Sequence, residues 1–248
     1  MTETSGLIAR PDGNSLAYRS IAGAGPCILW LGGFGSDMAG TKAQALADWA
    51  AARGRAFLRF DYFGHGQSSG ELAQGTIGRW REDALAVLDE LALGPVVLVG
   101  SSMGGWIGCL LALARPAQVK GMVLVAPAAD FTERLIGPAL PPEALEEIRT
   151  RGVWIRPSPY EPGGLPISRV LMEDGERWSI LPGPLDIEVP LRILQGGRDE
   201  DVPWRHALAL FEAIGSQDAV FTLIRDGDHR LSRPQDIARI IAAVAELS

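Results

Sequence analysis

The stretch that most constrains this chain is Val96-Val97-Leu98-Val99-Gly100-Ser101-Ser102-Met103-Gly104-Gly105, followed at once by the apolar run Trp106 to Ala114. The consecutive aliphatic residues read as a strand buried on both faces, and the run after the glycines reads as a helix. Between them lies Gly-x-Ser-x-Gly. A strand-to-helix turn of that composition is tight enough to hold its central serine out at the tip. Gly100 and Gly104 have a steric task there, since a Cβ at either position would collide with a neighbouring strand or helix. Gly and Ser alone also describe an ordinary glycine-rich loop; the flanking strand and helix are what favour the elbow. Ser102 is then the candidate nucleophile, and Ser101, at the first variable position, is left to packing or support.

The rest of the chain has the rhythm such an elbow needs. Residues 7–21 read as a hairpin turning at Pro11-Asp12-Gly13-Asn14. An apolar strand from Cys27 to Leu31 ends in Gly32-Gly33-Phe34-Gly35, a helix is predicted over Thr41 to Arg53, and a strand over Ala56 to Phe60 enters Asp61-Tyr62-Phe63-Gly64-His65-Gly66-Gln67-Ser68. An amphipathic helix follows from Ile77 to Leu91, with Trp80, Ala84, Leu88 and Leu91 along one face. Further strands are predicted at Gly121–Ala126, Leu191–Gln195 and Val220–Ile224, with helices at Pro203–Ile214 and Pro234–Glu246. Short apolar strands alternating with helices indicate an α/β fold: a mostly parallel central sheet flanked by helices. The alternation breaks between Asp130 and Val189, where Pro, Gly and Trp are frequent and one helix is predicted near Pro142–Arg151. A plain loop of that length is improbable in a compact domain. The expected organisation is therefore a core of residues 1–129 and 190–248 with a small inserted cap at 130–189.

A serine hydroxyl needs a base to become a nucleophile at neutral pH, and the chain has three histidines, at 65, 206 and 229. His229 follows the last strand in a Gly-Asp-His turn, at the sheet edge from which Ser102 can be reached. His65, in its glycine loop, is the competing candidate, and His206 lies inside a helix. The base in turn needs a carboxylate. Asp199, past the penultimate strand, gives the chain order Ser, Asp, His; Asp130, past the strand before it, is the rival. Asp201, Asp226 and Asp228 read as turn and capping residues. Oxyanion donors are expected from the backbone N–H groups of Met103 and Phe34, although Gly-Gly-Phe-Gly also suits a plain tight turn. Asp61 and the His65 loop read as structural, with Asp61 bonded to loop amides. Nothing indicates a metal or cofactor: no Gly-x-Gly-x-x-Gly follows a strand, and no Cys/His cluster has zinc spacing.

The net charge of −7 argues against nucleic acid or an anionic membrane as partner. No apolar run approaches the roughly 18 residues of a spanning helix, so stable membrane insertion is not expected. The first residues do not resemble a secretory leader, and Cys27 and Cys109, both in apolar elements, read as free buried thiols; a cytoplasmic location is expected.

Elbow, oxyanion loop, Asp-x-x-Gly-x-Gly-x-Ser and the Ser/Asp/His order together resemble the α/β-hydrolase superfamily. Within it the chain is similar to the α/β-hydrolase-domain-containing protein 10 family of acyl-protein thioesterases and acyl-glucuronide esterases. The likeness runs nearly end to end. It includes Ser36-Asp37-Met38-Ala39-Gly40-Thr41-Lys42-Ala43, Gly100 to Trp106, Gly152-Val153-Trp154, Asp201-Val202-Pro203-Trp204 and Asp228-His229-Arg230. The resemblance implies an α/β-hydrolase fold, a triad on Ser102, Asp199 and His229, and a small-molecule or S-acylated substrate. It also suggests a bacterial member without the organelle leader of the animal ones. Trp154, Tyr160 and Trp178 in the cap either line an acyl pocket or form the cap's own core. Arg134, Arg151 and Arg156 could meet a substrate carboxylate, but a solvated Arg/Glu surface is the simpler account. An acyltransferase or perhydrolase with the same triad, and a non-catalytic ligand receptor, are the alternative functions.

Overall fold

The computed structural model describes residues 2–92, 94–158 and 163–248. In chain order its elements begin with the hairpin β1 (Glu3–Ala9) and β2 (Ser15–Ile21), then β3 (Ala24–Leu31), α1 (Thr41–Arg53), β4 (Arg55–Phe60), α2 (Ile77–Leu91), β5 (Val96–Ser101), α3 (Met103–Ala114) and β6 (Val119–Val125). A π-helical turn at Thr132–Ile136 leads through α4 (Gly137–Ala139) and α5 (Pro142–Arg151) to a separate hairpin, β7 (Val153–Arg156) with β8 (Leu165–Ser168), and to α6 (Arg169–Arg177). The chain then returns through β9 (Leu191–Gly196), α7 (Trp204–Ala213), β10 (Ala219–Ile224) and α8 (Pro234–Leu247).

The main sheet runs β1-β2-β4-β3-β5-β6-β9-β10, parallel from β4 onward and antiparallel only where the N-terminal hairpin joins. Side chains alternate across a strand, and the two cores follow that alternation. Leu29, Leu31 and Leu98 face the layer of α2 and α3, whereas Ile28, Trp30 and Val99 face α1 and α8. Covered on both faces, β5 is buried at every position, which is why it reads as an unbroken apolar run.

Between β6 and β9, only α5 was legible from pattern. The β7–β8 hairpin escapes it because Pro166 sits inside β8, paired with Ile155; a two-stranded ribbon consists of edges, where proline is tolerated. Two carboxylates tie this segment to the core. Asp174 of α6 accepts from the Gly78 N–H at 2.7 Å, in the first turn of α2, where the helix dipole favours an anion. Asp130, fully buried, accepts from Ser179 Oγ at 2.7 Å and from the N–H groups of Ile180 and Leu181 at 2.9 and 2.7 Å.

A buried arginine ties the opposite end. Arg59 of β4 donates two bonds to the Glu3 carboxylate (2.9 and 2.8 Å), two to Gln44 Oε1 and one to the Met38 carbonyl at 2.9 Å. One guanidinium thus joins β1, α1 and the loop after β3. Cys27 and Cys109 are free thiols, and burial raises both, Cys109 to about 12. Among the described residues, no helix is long and apolar enough to cross a membrane.

Candidate active site

In a parallel sheet the loops after the strands gather at one edge, the usual place for a ligand crevice. Here those loops carry Phe34 after β3, His65 after β4, Ser102 after β5, Asp130 after β6, Asp199 after β9 and His229 after β10. Ser102 sits at φ 54° and ψ −118°, a conformation a side chain rarely adopts. It is held by its own N–H on the Val125 carbonyl at 2.9 Å and by its carbonyl, which accepts from Gly105 and Ala128 at 2.9 and 3.0 Å. A Cβ on Gly104 would strike the Leu31 carbonyl, and one on Gly100 would strike the Gly104 carbonyl. The elbow therefore closes only with glycine at both flanks.

Ser102 Oγ lies 3.2 Å from His229 Nε2, and His229 Nδ1 lies 2.8 Å from Asp199 Oδ2. The Asp199 carboxylate is sealed from solvent and saturated with donors: Val202 N–H at 2.7 Å and Asp201 N–H at 3.0 Å on one oxygen, Gln195 Nε2 at 3.0 Å on the other. A carboxylate so held cannot turn, and it fixes the imidazole with its Nδ1 proton towards Asp199 and Nε2 towards the serine. The two loops also touch directly. A Cβ on Gly196 would meet the carbonyls of Gly227 and Asp228, and Arg198 N–H donates to the Gly227 carbonyl at 2.8 Å. Lys42, in the first turn of α1, donates to the Arg230 carbonyl at 2.6 Å and so braces the histidine loop from across the sheet. Burial, reinforced by Arg230, lowers that ammonium to about 8.

Met103 opens α3, so its N–H is one of the first-turn donors without an intrahelical acceptor. The Phe34 loop runs close beside the elbow; a Cβ on Gly33 would lie 3.4 Å from both Ser102 Cβ and the Ser101 carbonyl. The Phe34 ring packs on Trp80 and Phe131, with centroids 5.7 and 5.8 Å apart.

The competing candidates are engaged elsewhere. His65 is buried, with Nε2 accepting from Gly35 N–H at 3.0 Å and Nδ1 against the Phe63 carbonyl at 3.1 Å; burial depresses its pKa to about 4. His206 Nε2 bonds the Ala129 carbonyl at 2.7 Å. Asp130 spends its carboxylate on Ser179, Ile180 and Leu181. Asp61 accepts from Met38 and Gln67 N–H groups at 2.7 and 2.8 Å, and burial raises its pKa. Asp226 pairs with Arg233, and Asp228 accepts from Leu231 N–H at 2.9 Å.

A cavity of about 390 Å³ opens over Ser102 and His229. Phe131, Leu135, Ile136, Leu140, Trp154 and Leu165, all from the segment between β6 and β9, give it an apolar wall; Lys42, Arg156, Asp201 and Arg230 lie elsewhere along it. Of the three aromatic residues for which the sequence left open an acyl pocket or the cap's own core, Trp154 lines the cavity and Tyr160 lies outside the described residues. Trp178 is not part of the lining. Its ring stacks under the Arg81 guanidinium at 4.7 Å, and its carbonyl accepts from Trp106 Nε1 at 3.2 Å, so it fastens α6 to α2 and α3. Arg134, Arg151 and Arg156 pair with Asp130, Glu147 and Asp201. Among the described residues, the one grouping compact enough for a cation is Asp199, Asp201 and His229, and its imidazole nitrogen is already hydrogen-bonded to Asp199.

Residues 27–161 match the family described as "Serine aminopeptidase, S33". The chain is 38% identical over 97% of its length, and 79% of the relative's, to the bovine protein named "Palmitoyl-protein thioesterase ABHD10, mitochondrial". Among solved structures it is similar to a protein from Agrobacterium vitis S4 at TM-score 0.95 and 45% identity, covering 100% of this chain and 99% of that one. The mouse α/β hydrolase domain-containing protein 10 superposes at TM-score 0.89 and 38% identity, covering 98% of each chain.

Proposed function

From the premise that this chain belongs to the α/β-hydrolase family of ABHD10 and is a serine ester or thioester hydrolase, we propose that Ser102, His229 and Asp199 form its catalytic triad. Ser102 Oγ attacks the acyl carbonyl as His229 Nε2 takes its proton, and Asp199 stabilises the imidazolium. The oxyanion is held by the N–H groups of Met103 and Phe34, the first reinforced by the positive end of α3. Collapse expels the alcohol or thiol, which leaves with the proton from His229. Water, activated by the same imidazole, then releases the carboxylic acid from the acyl-enzyme.

What supports this most directly is the unbroken chain of hydrogen bonds from Ser102 Oγ through His229 to Asp199, on the floor of a cavity with an apolar wall. Residues 130–189 act as a cap, and its apolar side takes the acyl chain of a thioester, such as an S-acylated cysteine, or of an activated ester. The cytoplasm is the proposed compartment, in keeping with two free thiols. A fluorophosphonate probe tests the nucleophile: wild type is expected to label and Ser102→Ala to stay unlabelled. Label persisting on the alanine variant, or absent from wild type, overturns it. A series of acyl thioesters and p-nitrophenyl esters of increasing length then reads the substrate side.

A further inference from the structure

The loop that carries Phe34 has no regular structure of its own, yet an oxyanion donor must be fixed to within a few tenths of an ångström to act. Two side chains of the neighbouring loop, residues 61–68, hold it by its backbone. Asp61 Oδ1 accepts from Met38 N–H at 2.7 Å, and His65 Nε2 accepts from Gly35 N–H at 3.0 Å. The second contact lies on the residue directly after Phe34. On its other side Gly35, at φ 73°, lies against Leu165 of the β7–β8 hairpin, whose side chain fills the place a Cβ would take. The Gly35 N–H is thus held by His65 of the core, with Leu165 packed against the other side of the residue.

We infer that His65 is a positioning residue for the oxyanion hole, holding the Phe34 amide at its working angle through the Gly35 N–H. The hydrogen bonds define the required form of the ring. Nδ1 faces the Phe63 carbonyl and so carries the proton; Nε2 faces an N–H and so must be bare. Tyr62, Phe34 and Trp80 pack around the ring at 5.8, 6.4 and 5.3 Å, and burial keeps it neutral at working pH. The buried carboxylates of Asp61 and Asp83 accept from the N–H groups of Met38, Gln67 and Phe63, and Asp83 also pairs with Arg79 and Arg10. Sequence pattern hides this role, because a histidine in a glycine loop beside a serine site looks like a base.

The inference rests on the triad and oxyanion assignments above, and its test separates the two. His65→Leu removes the acceptor and leaves Gly35 N–H unpaired; His65→Gln can return an oxygen near the position of Nε2. His65→Leu is expected to lower kcat roughly tenfold to a hundredfold, below or at the loss from deleting an oxyanion donor outright, with KM within twofold. Affinity for a trifluoromethyl ketone, whose adduct oxygen occupies the hole, should fall in parallel, and His65→Gln should recover most of both. Ester turnover by His65→Leu at the wild-type kcat, or a kcat loss without any loss of ketone affinity, overturns the inference. Should the leucine variant fail to fold, ¹⁵N NMR of the wild-type imidazole decides: a bare Nε2 coupled to the Gly35 amide is expected, and an Nε2–H tautomer overturns it. Loss of fluorophosphonate labelling at Ser102 in wild type would instead overturn the triad itself.

Discussion

At the scale of single residues the elbow shows how a sequence can demand its own strain. Ser102 is held in a backbone conformation that costs of order 1–3 kcal/mol for a residue with a side chain. The close approach of Gly104 to Leu31 leaves no room to relax it. Gly104→Ala is therefore expected to abolish fluorophosphonate labelling and lower Tm, measured together on purified protein; a variant that labels normally would contradict the packing. The two candidate acids separate equally sharply. Asp199→Asn should lower kcat by about 10³–10⁴, since the amide no longer fixes the tautomer of His229. Asp130→Asn should leave kcat on a short ester within a few-fold while costing roughly 2 kcal/mol in urea denaturation, because an NH₂ then faces donors. The reverse pattern would exchange their roles. Ser102, Asp199 and His229 could be nominated from sequence because each lies in a loop after a strand of the parallel sheet, and the structure brings the three within hydrogen-bond reach of one another. Lys42 and His65 could not be given their contacts that way: Lys42 reaches across 188 positions to Arg230, and a loop histidine carries no mark of its partner.

Elements were legible in proportion to their periodicity. The helix expected over 41–53 is α1, and the strand before the elbow is β5. The β7–β8 hairpin is invisible to pattern, because four-residue strands interrupted by proline carry no usable period. That hairpin is the element that brings Trp154 to the cavity and Leu165 onto Gly35. Trp154→Ala is expected to lower kcat/KM for a decanoyl ester about tenfold relative to an acetyl ester, the equivalent of about 1.4 kcal/mol of lost apolar contact. Equal losses on both esters would remove Trp154 from the acyl side. Trp178 differs from Trp154 although both lie in the same aromatic-rich segment. An indole says that a residue will be covered, and only the path of α6 over α2 decides by what.

For the whole molecule, stability is joined to acidity through the buried His65 and the half-buried His206. His65 takes up a proton at 6.5 in an open chain but at about 4 in the fold. Between those values the unfolded chain binds a proton that the folded one refuses. Stability is thus fully present above pH 6.5 and falls as the pH drops towards 4, by about 1.4 kcal/mol per unit. His206, also lowered by burial, acts in the same direction, while the raised carboxylates of Asp61 and Asp83 act in the opposite one. Comparing wild type with His65→Gln isolates the first term. Urea denaturation at pH 7 and pH 5 should show wild type losing about 2 kcal/mol more than the variant; parallel losses would refute it. The mostly parallel character of the sheet could be read from the alternation of short apolar strands with helices, although the strand order could not. The knots between distant parts could not, and Arg59 is the plainest of them. Its guanidinium is shielded from water and has the Glu3 carboxylate as its counter-charge, while its remaining hydrogens hold Gln44 and Met38. An uncompensated buried cation is costly, so trimming the chain past Glu3, or fusing a bulky label tightly against it, would unsettle the catalytic rim from the far side of the sheet. Anyone immobilising or tagging this hydrolase should leave a generous spacer ahead of the first strand.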